Sequence, residues 1–355
     1  MLDYNKIFLL NPFTQSQKEK KNWYFVNQKK LSKHHYKNCD NYKKVVDKIF
    51  KKINYTKTTE ELPFLHASLF KKFNLKSINL NEISKSYNSS GTSGSKRSII
   101  NLDKKTSLLQ SRALSIIMKD ILKENDLDIF FIDTPNVTQG VESLTARGAA
   151  IRGFSQLVKN KFFLLDKNFK LKVNHLKKYI KDNPNKKFII FGFTSYIWEF
   201  LINKLIQKKI KFPKNNGVLI HGGGWKKLEK KSVDRDFFNN SISKYLGLNR
   251  IHNYYGMIEQ TGSIFLECEN GYFHSSIFSE IFTRDENLKI CKIKKPGLIQ
   301  VLSLLPLSYP GHNILTEDIG TIFGEDDCKC GRSGKYFLVH GRAPGTETRG
   351  CSDVG

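Results

Sequence analysis

Between residues 128 and 220 the chain repeats one pattern: a short apolar run, a longer amphipathic stretch, then another short apolar run. The apolar runs fall at 128–133, 162–165, 188–193 and 217–220, and the intervening stretches, at 146–158, 171–181 and up to 210, carry apolar residues at helical spacing. A strand that is apolar on both faces must be covered on both, and parallel strands need helical crossovers to do it. The pattern therefore predicts an α/β fold with a mostly parallel sheet covered by helices, entered through a further helix at 108–122. After residue 260 the strands shorten and turns become frequent, as expected of antiparallel sheet or a distorted barrel. The first hundred residues read as a helical scaffold, with helices at 42–52 and, after Pro63, at 68–73. No repeat or Pro/Ser-rich linker interrupts the 355 residues, so one continuous body over 1–343 is expected, followed by a short mobile tail at 344–355.

Charge narrows the function classes. The net charge is +26, yet only ten of the 59 basic residues are Arg. Nucleic-acid binders concentrate charge on one face and use the Arg fork on phosphates and bases. Here Lys is spread from end to end among Asn, Ile, Phe and Tyr, the residue set favoured by AT-rich codons, so no nucleic-acid partner is expected. Six irregularly placed Cys do not make a secreted disulfide framework, and a reducing cytoplasm is expected. The amino terminus has no cleavable leader pattern, and no apolar run is long enough for a transmembrane segment.

Four segments carry chemistry. The hydroxyl-rich run Ser89, Ser90, Gly91, Thr92, Ser93, Gly94, followed by Lys96 and Arg97, offers amides, hydroxyls and charge to a polyphosphate. Its spacing fits neither a Walker nor a Rossmann loop, and an ordinary flexible turn is the plain alternative. Gly222, Gly223 and Gly224 follow the strand ending at Ile220, where open α/β sheets bind ligands; a tight turn is the plain alternative. Next come Tyr255, able to stack on a base, and Glu259, a carboxylate able to hold Mg²⁺. Last, Asp318 can accept both hydroxyl protons of a ribose, with Arg342 downstream.

The order of these segments resembles the adenylate-forming superfamily. Within it the chain is most similar to the acyl-protein synthetase family, the LuxE type, through Asn11-Pro12-Phe13, His34, His35 and Cys39, Leu62-Pro63-Phe64, Leu69-Phe70-Lys71, ARGAAIRGFS from Ala146 and HGGGWKK from His221. The resemblance implies the large domain of that superfamily, without its carboxyl-terminal lid. It implies ATP and Mg²⁺, a carboxylic (fatty) acid substrate, and an acyl-protein reductase or transferase as partner. By the same resemblance Ser89 to Gly94 cradle the ATP phosphates, Gly222 to Gly224 line adenine, Tyr255 stacks on it, Glu259 binds Mg²⁺ and Asp318 with Arg342 holds the ribose. Either Lys96, Arg97 or another basic group takes over the charge that the lid usually brings, or the first step is slow. Cys351, in the tail Arg349-Gly350-Cys351-Ser352-Asp353, is the implied acyl carrier. Ile258 departs from the pattern, standing where the superfamily usually has Thr. Two other readings compete: an acyl- or aryl-CoA ligase of the phenylacetate type, sharing the Cys-x-Cys-Gly-Arg segment, and a non-catalytic basic binding protein.

Cys268, His274, Cys328 and Cys330 form a separate candidate set. Cys-x-Cys in one turn, with Cys and His six apart in another hairpin, supplies the four ligands of a structural Zn²⁺ site, against the alternative of ordinary buried thiols. Cys39 and Cys291 read as packing residues.

Overall fold

The computed structural model describes residues 3–50, 53–89, 97–124, 127–225 and 232–345. Ser90, Gly91, Thr92, Ser93, Gly94, Lys96 and Cys351 lie outside the described residues, as does the expected tail beyond Gly345. The chain divides into two compact units, one holding its N-terminal part to Ile121 together with Gly256 onward, the other holding Leu122–Tyr255.

The first unit opens with α1 (Tyr4–Ile7), α2 (Gln17–Asn38) and α3 (Asp40–Ile49). A capping box starts α2: Glu19 N donates to Ser16 Oγ, and Ser16 N donates to the Glu19 carboxylate at 2.8 Å. The sequence reading did not single out α2 because its buried residues are largely polar and break the apolar periodicity. Tertiary partners hold it instead. Buried Lys20 pairs with Glu280 at 3.2 Å, and Gln28 Nε2 donates to Ser303 O at 3.0 Å. Then come β1 (Leu65–His66), α4 (Leu69–Lys72), β2 (Lys85–Asn88), β3 (Ile99–Leu102) and α5 (Lys104–Leu122). The expected all-helical scaffold thus contains strands. β2 and β3 pair antiparallel with Asn88 opposite Ile99, and the hydroxyl-rich run is the sequence that connects them. Ser98 N donates to Ser89 Oγ at 2.8 Å and closes the described base of that loop.

The second unit carries β4 (Asp128–Phe131), α6 (Ala146–Ser155), β5 (Asn160–Phe163), α7 (Val173–Asp182), β6 (Phe188–Phe193), α8 (Thr194–Tyr196), a π-helical stretch Ile197–Ile202, α9 (Asn203–Gln207), β7 (Gly217–Gly222), α10 (Arg235–Leu246) and β8 (Arg250–Tyr255). Its strands are all parallel, in the order β5-β4-β6-β7-β8, as the alternation predicts. Every residue of β4, β6 and β7 is buried, which is why these runs are continuous rather than alternating. β5, on the edge, begins two residues before the expected run because its first residues are polar and exposed. Phe130, Ile190 and Leu219 from the sheet pack with Leu201, Leu205, Phe238 and Ile242 from the helices.

The remainder of the first unit is β9 (Phe265–Glu267), β10 (Phe273–His274), β11 (Ser279–Arg284), β12 (Pro296–Ser303), β13 (Asn313–Glu325) and β14 (Lys335–Arg342). The pairing is antiparallel in the order β11-β12-β13-β14-β10-β9, with β1 added parallel to β13. Register shifts at Leu298/Gln300, Ile319/Gly320 and Ile322/Gly324 bend the long strands, the distortion anticipated for this region. No helix among the described residues is long and apolar enough to cross a membrane.

Candidate functional site

In the second unit the parallel register brings the carboxyl ends of β6, β7 and β8 side by side, with Phe193 opposite Gly222 and Gly222 opposite Tyr254. Ligands of open α/β sheets bind at that edge. The three glycines there do different work. A Cβ on Gly222 would meet the Tyr254 ring at 2.4 Å, Gly223 has φ +75°, and a Cβ on Gly224 would meet nothing within 4 Å. The run therefore lets an aromatic ring press on the backbone, turns sharply and leaves room beside Gly224. Tyr255 ends β8 at the same edge. His221, just before the glycines, shares a 2.9 Å hydrogen bond between Nδ1 and Thr194 Oγ1. Burial, with Arg235 and His252 nearby, holds its imidazole down to about 3, so the ring is neutral at neutral pH.

Sequence reasoning missed a charge cluster on this unit, buried at Arg147 and Asp133 and exposed at Glu142. Arg147, in the second position of α6, lies with Nε 3.4 Å from Asp133 Oδ2 and Nη2 2.5 Å from Glu142 Oε2, and its Nη1 donates to Tyr196 Oη at 2.6 Å. Burial lifts the Asp133 carboxyl to about 6 while Arg147 opposes the rise. Asp133 lies just beyond β4, and the apolar run that disclosed the strand gave no hint of its partner.

In the first unit Glu259 sits in the 3₁₀ turn Ile258–Gln260 and is buried. Its neighbour fixes it: Gln260 Nε2 donates to Val301 O at 3.0 Å and Gly311 O at 2.8 Å. Gly311 is needed beside it, since a Cβ there would come within 2.5 Å of Glu259 O. Burial raises the Glu259 carboxyl, and Ser98, Lys71 and Arg342 pull it back toward the ionised form. Ser98 Oγ is buried without a well-formed hydrogen bond, yet it faces Glu259 closely enough to act on it. Ile258, also buried, presents an apolar side chain where the superfamily pattern has a hydroxyl.

Asp318 and Arg342 are register partners on β13 and β14. Arg342 Nη1 lies 3.6 Å from Asp318 Oδ1 and 3.2 Å from Glu317 Oε2. Lys71 Nζ, from α4, is 3.9 Å from the same Glu317 oxygen. Three residues chosen from sequence, Glu259, Asp318 and Arg342, thus share one electrostatic neighbourhood, joined by Lys71, Ser98 and Glu317, which the reading had not assigned. Lys71 falls in the part read as scaffold; the available signal was a short basic helix straight after Leu65–His66. Arg97 is exposed, beside the undescribed loop.

The four candidate metal ligands also meet. Cys268 Sγ is 4.0 Å from Cys328 Sγ, and Cys330 Sγ is 3.3 Å from His274 Nε2. Burial pushes the Cys268 thiol up to about 12, raises that of Cys328, and lowers His274 to about 4. Cys39 is buried, as its packing role requires, and Cys291 is partly exposed.

A family model described as "Acyl-protein synthetase, LuxE" matches residues 3–355. The chain is 24% identical over 278 residues to a long-chain-fatty-acid–luciferin-component ligase of Aliivibrio fischeri, covering 75% of this chain and 70% of that protein. Among solved structures it is similar to a 2-hydroxyisobutyryl-CoA ligase in an open conformation with 2-HIB-AMP and CoA, with TM-score 0.72 and 14% identity over 93% of this chain and 76% of that one. The same ligase in its thioesterification state gives TM-score 0.64 and 14% identity over 89% and 67%. The α/β fold is that of the adenylate-forming enzymes.

Proposed function

Because the chain belongs to the acyl-protein synthetase, LuxE, family, we propose that it activates a carboxylic acid with ATP and passes the acyl group to a protein thiol. The observation that carries this reading is the Glu259, Asp318 and Arg342 neighbourhood, with Lys71 beside it. A long-chain fatty acid is the proposed substrate, after the Aliivibrio fischeri ligase.

In the first step a carboxylate oxygen attacks the α-phosphorus, the bond to the bridging oxygen breaks, and pyrophosphate leaves with that electron pair. Little covalent chemistry falls to the protein, so its contribution is to position charge. Gly222 to Gly224 give adenine access to the backbone, and Tyr255 stacks on it. Asp318 accepts hydrogen bonds from the two ribose hydroxyls, and Arg342, 3.6 Å away, orients that carboxylate. Ser89, Ser90, Gly91, Thr92, Ser93 and Gly94, with Lys96 and Arg97, surround the phosphates. Glu259 suits Mg²⁺: it is a carboxylate beside the Gln260 clamp, and although burial raises it, Ser98, Lys71 and Arg342 oppose the rise, as a bound cation would. When bound, that ion would neutralise charge on the phosphate oxygens.

In the second step the thiolate of Cys351 attacks the acyl carbon, the carbon–oxygen bond to the phosphate breaks, and AMP departs. The thioester then serves an acyl-protein reductase or transferase. A carrier thiol needs reducing surroundings, and the five described cysteines are all free.

The test is acid-dependent exchange of pyrophosphate into ATP, followed by acyl label on the protein that hydroxylamine releases. Cys351→Ser should keep the exchange and lose the label; Glu259→Gln should lose both. Label persisting in Cys351→Ser would remove the tail from the reaction, and turnover to acyl-CoA would favour the phenylacetate-type ligase reading instead.

A further inference from the structure

Cys268, His274, Cys328 and Cys330 take no part in the chemistry above, yet one ligand atom from each lies within 4.8 Å of all the others. We propose that these four side chains hold a single structural Zn²⁺ ion in a closed tetrahedral site. With Zn–S bonds of about 2.3 Å and Zn–N of about 2.0–2.1 Å, a tetrahedron has edges of about 3.8 Å between sulfurs and about 3.6 Å between sulfur and nitrogen. Two edges already match closely: 4.0 Å for Cys268 to Cys328 and 3.3 Å for Cys330 to His274 Nε2. The widest separation, 4.8 Å, exceeds the ideal by a distance that a small rotation of an unbranched side chain closes. A Cys268–Cys328 disulfide would need about 2.0 Å between sulfurs. Both cysteines are free.

Chain geometry supplies the second argument. Cys268 and His274 belong to the β9–β10 hairpin, where Gly271 N donates to Cys268 O at 2.9 Å and Cys268 N to Tyr272 O at 2.8 Å. Cys328 and Cys330 lie in the turn between β13 and β14, where Gly331, at φ +78°, donates to Cys328 O at 3.0 Å. The backbone pairing between these hairpins is short: Phe273 with Phe337 and His274 with Tyr336, continued by Ser275 N donating to Lys335 O at 2.9 Å. An ion held at this place cross-links the hairpins beside that short ladder. The His274 ring is already fixed in plane, stacked on Tyr336 at 5.8 Å and met edge-on by Phe13 at 6.3 Å.

Three ligands are buried and four protein ligands leave no open position, so the site is structural and not catalytic. Three thiol protons leave on binding, giving a centre of net charge −1. Arg332, two residues after Cys330 and anchored to Asp120 at 2.9 Å and Glu269 at 2.7 Å, places a guanidinium near that charge.

The measurement is elemental analysis of the full chain, purified from zinc-supplemented culture and dialysed without chelator or substrate, so that its result is independent of the adenylation reading. About one zinc per chain is expected. Exchange into Co²⁺ should give thiolate-to-cobalt charge transfer and the intense visible bands of a tetrahedral ion. His274→Cys should keep the metal and shift those bands, while Cys328→Ser combined with Cys330→Ser should lose it. Should the double variant fail to fold, the cobalt spectra of the native chain and of His274→Cys decide the matter. Zinc well below one per chain in folded native protein, a cobalt spectrum without charge transfer, or a Cys268–Cys328 disulfide in unreduced protein would each overturn the proposal.

Discussion

Mild acid should loosen the first unit before it touches the second. His35 of α2 and His312, just before β13, are fully buried with their rings stacked at 4.7 Å. Three of their four ring nitrogens are committed: His35 to Ser77 Oγ at 2.8 Å and Pro306 O at 3.2 Å, His312 Nε2 to Ser32 Oγ at 3.0 Å and Tyr42 Oη at 3.4 Å, while His312 Nδ1 is buried with no partner among the described residues. Burial holds His312 down to about 3 and His35 well below its ordinary value. Both titrate near 6.5 once unfolded, so below that pH the unfolded chain binds protons that the folded one excludes, and stability falls as pH falls. Each histidine contributes up to about 1.4 kcal/mol per pH unit, about 2.7 kcal/mol for the pair, and, with both half protonated in the unfolded chain at pH 6.5, roughly 3 kcal/mol between pH 6.5 and 5. Glu259, whose carboxyl is raised by burial, acts in the opposite direction, whereas His66 and His274 of the same unit, both lowered by burial, add to the loss. Against a typical total of 5–15 kcal/mol the loss is large. The second unit is an internal control. His221, lowered to about 3, loses stability below pH 6.5, while Asp133, raised to about 6, gains it below pH 6, so the two nearly cancel. Urea titrations at pH 7, 6 and 5, followed by hydrogen exchange in peptides from α2 and from β6, separate the units. Protection in α2 that stays level or rises from pH 6.5 to 5 would refute the reasoning, as would a His312→Gln variant with an unchanged slope.

At Gly222 an added methyl collides with the Tyr254 ring at 2.4 Å. Gly222→Ala should cost about 1–3 kcal/mol in thermal or urea unfolding, whereas Gly224→Ala, opening onto free space, should leave stability alone and weaken ATP binding by calorimetry. Lys71→Ala should raise the KM for ATP about fivefold, the equivalent of about 1 kcal/mol for a partly exposed ion pair. Lys71→Arg should recover most of it. An unchanged KM in steady-state pyrophosphate release would exclude Lys71 from a part in nucleotide binding.

The second unit was the most legible part of the sequence, because a strand buried on both faces writes itself as an unbroken apolar run, as at 188–193. The helix Gln17–Asn38 was illegible for the opposite reason: Lys20, Gln28 and His35 are buried through hydrogen bonds and an ion pair to residues hundreds of positions away. The site divides along the same line. Asp318 with Arg342 was readable as an acid and a base at turn-like positions, and the β13–β14 register makes them neighbours. The convergence of Ser98 and Lys71 on Glu259 depends on β1 joining β13 in parallel and on a β2–β3 hairpin, neither of which has a strong local pattern.

The β13–β14 ribbon carries its cysteine turn at one end and the Asp318–Arg342 rung at the other, seven residues along β13 from Glu325, or about 24 Å at strand rise. Two register shifts bend the ribbon between those ends, and β12 and β10 flank it on either side. A rearrangement at the cysteine turn would have to cross that pinned, bent stretch before it reached the rung on which the proposed ribose contact depends.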